Sequence, residues 1–228
     1  MISLYTAVGR FERRTNNNGY YPVVIVNRKE YTVDMPEMMI WTCLNWRILE
    51  LPQIESIYNK MARDTGINEQ AGNEVYVERL IQRGLIASGI GDNGNDALYD
   101  LISNLYITPV TSRLFVKVLA FLKFIFVNGL PFSKAKTVFQ SEKLSDDEKC
   151  AIDLVKQTQL STAELIKCVE IGIYDLSDEN KVMSALYDDD TTTCDNISYY
   201  AKNCSNQKSI LEIVANLYLR KMIIFERI

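Results

Sequence analysis

VERLIQRGLI, residues 77–86, is the stretch whose reading decides the fold. With residues 73–76 ahead of it, Val75 or Tyr76, Leu80 and Ile81 recur at helical spacing and predict a helix from about Asn73 to Arg83. Its other face carries Glu74, Glu78, Arg79, Gln82 and Arg83. Gly84 supplies the left-handed residue that ends such a helix. Leu85 to Ser88 reads as extended, and Gly91-Asp92-Asn93-Gly94-Asn95 reads as a turn.

Upstream, residues 20–33 (YYPVVIVNRKEYTV) hold a β-branched run from Val23 to Val26, a turn at Asn27-Arg28-Lys29, and Tyr31 to Val33 returning antiparallel. Asn16 to Gly19 marks a loop or second turn before it. Asp34 then caps a helix, with Pro36 in the first turn and Glu37 at capping-box spacing. Met38, Ile40, Trp41, Leu44 and Ile48 form its apolar face, and Leu51-Pro52 is expected to break it. Ile54, Ile57, Tyr58 and Met61 predict a second helix ending near Gly66, and 67–73 a loop.

Downstream, residues 96–107 fit either a helix capped by Asp96 or a return strand. Arg113 to Leu130 (RLFVKVLAFLKFIFVNGL) is the most apolar run of the chain and predicts a helix enclosed by protein. Lys117 and Lys123 inside it oppose a membrane span, where each costs roughly 2.5–3.5 kcal/mol at the bilayer centre. Ser145 and Ser161 open further helices with capping-box spacing to Glu148 and Glu164. Helices are expected again after Ser177, around Ile197 to Ala201 and from Ser209 to Arg220, and Met222 to Phe225 reads as a strand.

A hairpin, three helices, an extended segment and a Gly/Asn turn form the order of a winged-helix module, and residues 20–91 resemble that superfamily. More narrowly, VVIVNRKEYTVDMPEMMIW leading into QIESIYNKMA and VERLIQRGLI is similar to the peptide-binding winged helices called RiPP recognition elements. Residues 177–226 echo 35–87: ANLYLRKMIIFE parallels ERLIQRGLIAS, and TCDNISYYAKNC parallels QIESIYNKMARD. The expected fold is therefore mainly α with small β-hairpins, as two winged-helix-like modules (1–110 and 141–228) joined by a central apolar connector helix within 111–140.

Composition removes several kinds of chemistry. There is no histidine, so the commonest general base and zinc ligand is missing. Cys43, Cys150, Cys168, Cys194 and Cys204 form no C-x-x-C pair and read as reduced thiols of a cytoplasmic protein. Gly89 to Gly94 matches G-x-G-x-x-G, but no parallel βαβ unit accompanies it, and no acid lies between 101 and 141. Neither catalytic residues nor a metal or cofactor is expected. No signal peptide is read at the N-terminus. The net charge of −4 is uneven: residues 1–33 carry +3, and 141–200 carry five lysines against fourteen acids.

Two functions follow as expectations. The first is a DNA-binding transcription regulator, dimeric through the 113–130 helix. Arg10, Arg13, Arg14, Arg28 and Lys29 would meet phosphates, and Arg79, Gln82 and Arg83 the groove of double-stranded DNA. The second is a protein- or peptide-binding adaptor, in which the hairpin and third helix form a groove for an added strand or helix without DNA contact.

Overall fold

A computed structural model describes residues 1–16, 19–66, 72–110, 144–187 and 191–227. The elements run β1 (Ile2–Ala7), β2 (Arg10–Asn16), β3 (Gly19–Val26), β4 (Lys29–Thr32), α1 (Met35–Leu44), α2 (Leu51–Thr65), α3 (Asn73–Gln82), β5 (Ile86–Gly91), α4 (Gly94–Ile102) and β6 (Tyr106–Pro109). Then follow α5 (Asp146–Gln157), β7 (Leu160–Ser161), α6 (Thr162–Glu170), α7 (Glu179–Leu186), α8 (Ile197–Ala201), α9 (Gln207–Leu219) and β8 (Ile223–Glu226). The expected connector 111–140, its 113–130 helix and the dimer contact placed there lie outside the described residues, as do 67–71 and 188–190.

The architecture is mixed α and β, not mainly α. Three small antiparallel sheets are present among the described residues, ordered β1-β5, β2-β3-β4 and β7-β6-β8. Two of their strands escape a reading by composition. β2, RFERRTN, reads as a charged segment and not as a strand; it lies at a sheet edge, where charged side chains block further pairing. β1 owes its pairing to β5, distant in sequence, with Ile2 opposite Gly91 and Ala7 opposite Ile86.

Two expected boundaries move. Pro52 begins α2 instead of ending α1: it lies in the first turn, where its missing N–H costs nothing, and Gln53 Oε1 accepts from the Glu50 N–H at 2.9 Å. α1 stops at Leu44, and Trp46, at φ 55°, turns the chain so that Leu49 bridges to Tyr5. The Gly/Asn turn after β5 is not a wing. Asn93 caps α4, its side chain accepting from the N–H groups of Asn95 and Asp96, each at 3.0 Å. Gly89 and Gly91 let that helix lie directly on β5: a Cβ on Gly89 would sit 2.2 Å from Leu101 N, and one on Gly91 2.3 Å from Ala97 N. The glycine spacing thus serves helix-on-strand packing.

One set of contacts occurs twice. The Val8 N–H donates to Leu85 O at 3.0 Å, and the Val110 N–H to Met222 O at 2.8 Å. Gly84 and Lys221 both adopt positive φ, and Leu85 N–H to Leu80 O matches Met222 N–H to Leu217 O, each at 2.9 Å. Leu49 bridges Tyr5 as Leu160 pairs with Ile107. The capping-box glutamates of α1 and α5 both reach an arginine that ends a later helix, Glu37 to Arg83 and Glu148 to Arg220, each at 2.6 Å. These contacts match α1, α2 and α3 with α5, α6 and α9. The expected echo, 35–87 with 177–226, pairs the same last helix and strand, α9 and β8, but different preceding helices. α7 and α8 intervene between α6 and α9, and α8 shares with α2 only its apolar spacing.

One apolar core runs through both halves, from Ala7 and Trp41 to Leu211 and Phe225. Tyr218 of α9 joins them: its hydroxyl accepts from Thr6 Oγ1 at 2.9 Å and from the Trp46 N–H at 3.0 Å. Burial pushes that phenol up to about 12, so it stays protonated and available as a donor. Trp46 Nε1 donates to Ile223 O at 3.2 Å. Strand β6, which precedes the expected module boundary at 110, pairs with β7 and β8.

Candidate functional site

The β3–β4 hairpin turns at Asn27 and Arg28, both with positive φ, as the two-residue turn that suits strand twist requires. The turn is pinned from the far end of the chain, where Glu226 Oε2 accepts from the Asn27 N–H at 2.8 Å. Among the described residues β4 pairs only with β3 and is the outer strand of its sheet. α3 lies beside it, and Arg83 bridges the two: Nη1 holds Glu37 at 2.6 Å, and Nη2 donates to the Thr32 carbonyl. That carbonyl faces α3, so the N–H and C=O of Glu30, two residues earlier, face the same side. Met35 and Val75, at 59% and 51% exposure, stand next to Asp34 and one helical turn from Arg79, the two residues of another bridge at 3.2 Å.

The residues expected on DNA fall into two groups. Most of the arginines are drawn into internal ion pairs. Arg79 holds Asp34 and Glu37, and Arg83 holds Glu37, whose carboxylate is buried. Arg10 pairs with Glu12 at 3.1 Å, and Arg14 with Glu12 at 3.0 Å and with Glu30. Arg13, Arg28, Lys29 and Gln82 are exposed, and Lys29 lies over the Tyr31 ring at 5.1 Å. The structure brings Lys29 and Arg83 to one pocket and leaves Arg10, Arg13 and Arg14 along β2, across the sheet from α3. Of the two inward candidates on α3, Tyr76 is buried and Val75 faces out.

The pocket, of about 210 Å³, is lined by Val26, Lys29, Tyr31, Arg83, Gly84 and Arg227, with Asn27 at its edge. Arg227 is a site residue that sequence reasoning missed. It follows the last strand with no surrounding pattern, and only the fold carries it to the hairpin. A larger cleft, of about 500 Å³, holds Asp96 and Asp100 beside Lys202. Both acids serve local structure there, Asp96 accepting from Asn93 Nδ2 and Asp100 from the Ile90 N–H.

Burial pushes the thiols of Cys43 and Cys168 up to about 11 and about 12, so at neutral pH they pack as small apolar groups. Among the described residues no helix is long and apolar enough to cross a membrane. Comparison with protein-family models, curated proteins and solved structures gives no match to this chain.

Proposed function

We infer that the protein is a non-enzymatic adaptor that binds an extended segment of a partner protein as an added strand on β4, against α3. The chain would do so as a tandem of two related winged-helix-like units, α1 to β5 with β1 and α5 to β8 with β6. One observation carries the reading: among the described residues β4 has no strand on its outer side, and it lies beside a helix whose arginines pair with Glu37. An open strand edge offers main-chain hydrogen bonds for affinity, and the side chains flanking it give selectivity. Met35 and Val75 supply exposed apolar surface on the α1–α3 side. A DNA-binding regulator asks instead for free cations on α3. Arg79 and Arg83 are compensated by carboxylates, and Glu74 and Glu78 on the same helix are exposed and would repel phosphate.

Twelve-residue peptides selected from a random display library on the full chain test this. Glu30→Pro deletes one outward donor of β4 and leaves the β3 pairing in place. We expect it to weaken the selected peptides by roughly tenfold or more. It should shift stability by less than about 1 kcal/mol, because the Arg14–Glu30 pair lies at the surface. Duplex DNA at low salt should show no affinity that falls steeply as salt is added. Such binding, with no peptide selected, would return the reading to DNA.

A further inference from the structure

Arg227 is a partly buried cation near the groove whose charge no described carboxylate answers. It makes neither an ion pair nor a hydrogen bond among the described residues, while its side chain is partly buried against Gly84. A Cβ placed on Gly84 would lie at ordinary contact distance, 3.9 Å, from Arg227 Cδ and from Nη1, so the guanidinium lies against this glycine. Burial alone acts on its acidity, pushing the pKa down. Charged groups removed from water without a partner are costly, and they persist where a ligand completes them.

The surroundings say which ligand. Lys29 and Tyr31 of β4 share the pocket with Arg227, and no carboxylate is among its lining residues. Arg83 is also there, but Glu37 and the Thr32 carbonyl occupy it. Glu226, next in sequence, accepts from the Asn27 N–H and belongs to the cleft that also holds Arg10 and Lys156. The pocket therefore has an excess of positive charge, in a volume of about 210 Å³ that suits one small anion and not a polyanion. The pocket shares Lys29 and Tyr31 with the strand edge, so a residue of an added strand near the hairpin turn would present its side chain there.

We propose that Arg227, with Lys29 beside it, receives the carboxylate of an Asp or Glu in the peptide laid along β4, and so selects acidic segments. A guanidinium fork matches a carboxylate through two parallel hydrogen bonds, and that geometry makes Arg the selective partner. The subsite rests on the groove reading and deepens it.

The random twelve-residue library, selected in parallel on the full wild-type chain, on Arg227→Gln and on Lys29→Gln, tests the subsite. Lys29 is exposed, so its variant folds even if Arg227→Gln does not. The expected result is enrichment of Asp or Glu at one position of the wild-type binders, lost on Arg227→Gln and reduced on Lys29→Gln. The best acidic peptide should bind Arg227→Gln roughly tenfold more weakly, and its Asn or Gln analogue should bind the two proteins alike. Binders without acidic enrichment, or with enrichment that survives both substitutions, overturn the subsite and leave the groove standing. A library that yields no binder on the wild-type chain overturns both.

Discussion

Gly89→Val should leave the protein unfolded, or less stable by more than about 4 kcal/mol, the range reserved for overpacking that cannot relax. A Cβ at this position would lie 2.2 Å from Leu101 N and 2.5 Å from both Ala97 O and Leu101 Cα. All three are backbone atoms of α4 and cannot swing aside as a side chain tip would. To admit the valine, α4 must lift from β5, which uncovers Ala97, Leu101 and Ile102, now almost wholly buried. Gly94→Ala is the control within the same motif. Nothing lies within 4 Å of its would-be Cβ, so its effect should stay below about 1 kcal/mol. Urea unfolding of the two variants measures the difference. A wild-type midpoint for Gly89→Val would mean that α4 does not pack on β5 in this way.

Glu148→Ala should cost about 3 kcal/mol, the sum of a lost cap and a broken, largely buried ion pair. Glu148 Oε2 accepts from the Ser145 N–H at 2.8 Å at the start of α5, and Oε1 holds Arg220 at 2.6 Å at the end of α9. One carboxylate thus ties the start of α5 to the end of α9. Asp146→Ala, which removes only the exposed pair with Lys149, should change stability by less than about 0.5 kcal/mol. The Glu148 effect should also depend on pH. The Ser145 backbone N–H first, and then Arg220, hold its carboxyl below the usual range. A carboxylate with a depressed folded pKa contributes stability above its unfolded value of about 4.3, and the contribution disappears as pH falls through the folded value. The gap in unfolding free energy between wild type and Glu148→Gln should therefore be full at pH 7 and shrink below about pH 4. A gap unchanged by acid would show that the charge of Glu148 is not what joins α5 to α9.

Short-range chemistry was the legible part. Asp34 with Glu37, Ser145 with Glu148 and Ser161 with Glu164 announce three helix starts, because a capping box is a bargain between residues three apart. Gly66 and Gly84 end helices in the left-handed conformation for the same local reason. Long-range placement was not legible. β1 is a strand because β5 comes to lie beside it, and β2 is one because β3 does. Arg79 and Arg83 read as outward cations, since nothing in their own stretch shows that Glu37 waits beneath them. The matching contacts of Arg83 and Arg220 lie in stretches of similar sequence, whereas apolar spacing alone links α2 to α8. Of the groove, the hairpin and α3 could be read from the sequence, whereas Arg227 enters it only through the fold.

Backbone amide exchange along β4, with the tightest selected peptide present and absent, tests most directly whether the protein works by strand addition. The account predicts that the Glu30 and Thr32 amides, which face away from β3, exchange at least roughly tenfold more slowly when the peptide is bound. The amides of Lys29 and Tyr31, already turned toward β3, should change little. A bound peptide that leaves the Glu30 and Thr32 amides exchanging as in the free chain would contradict it.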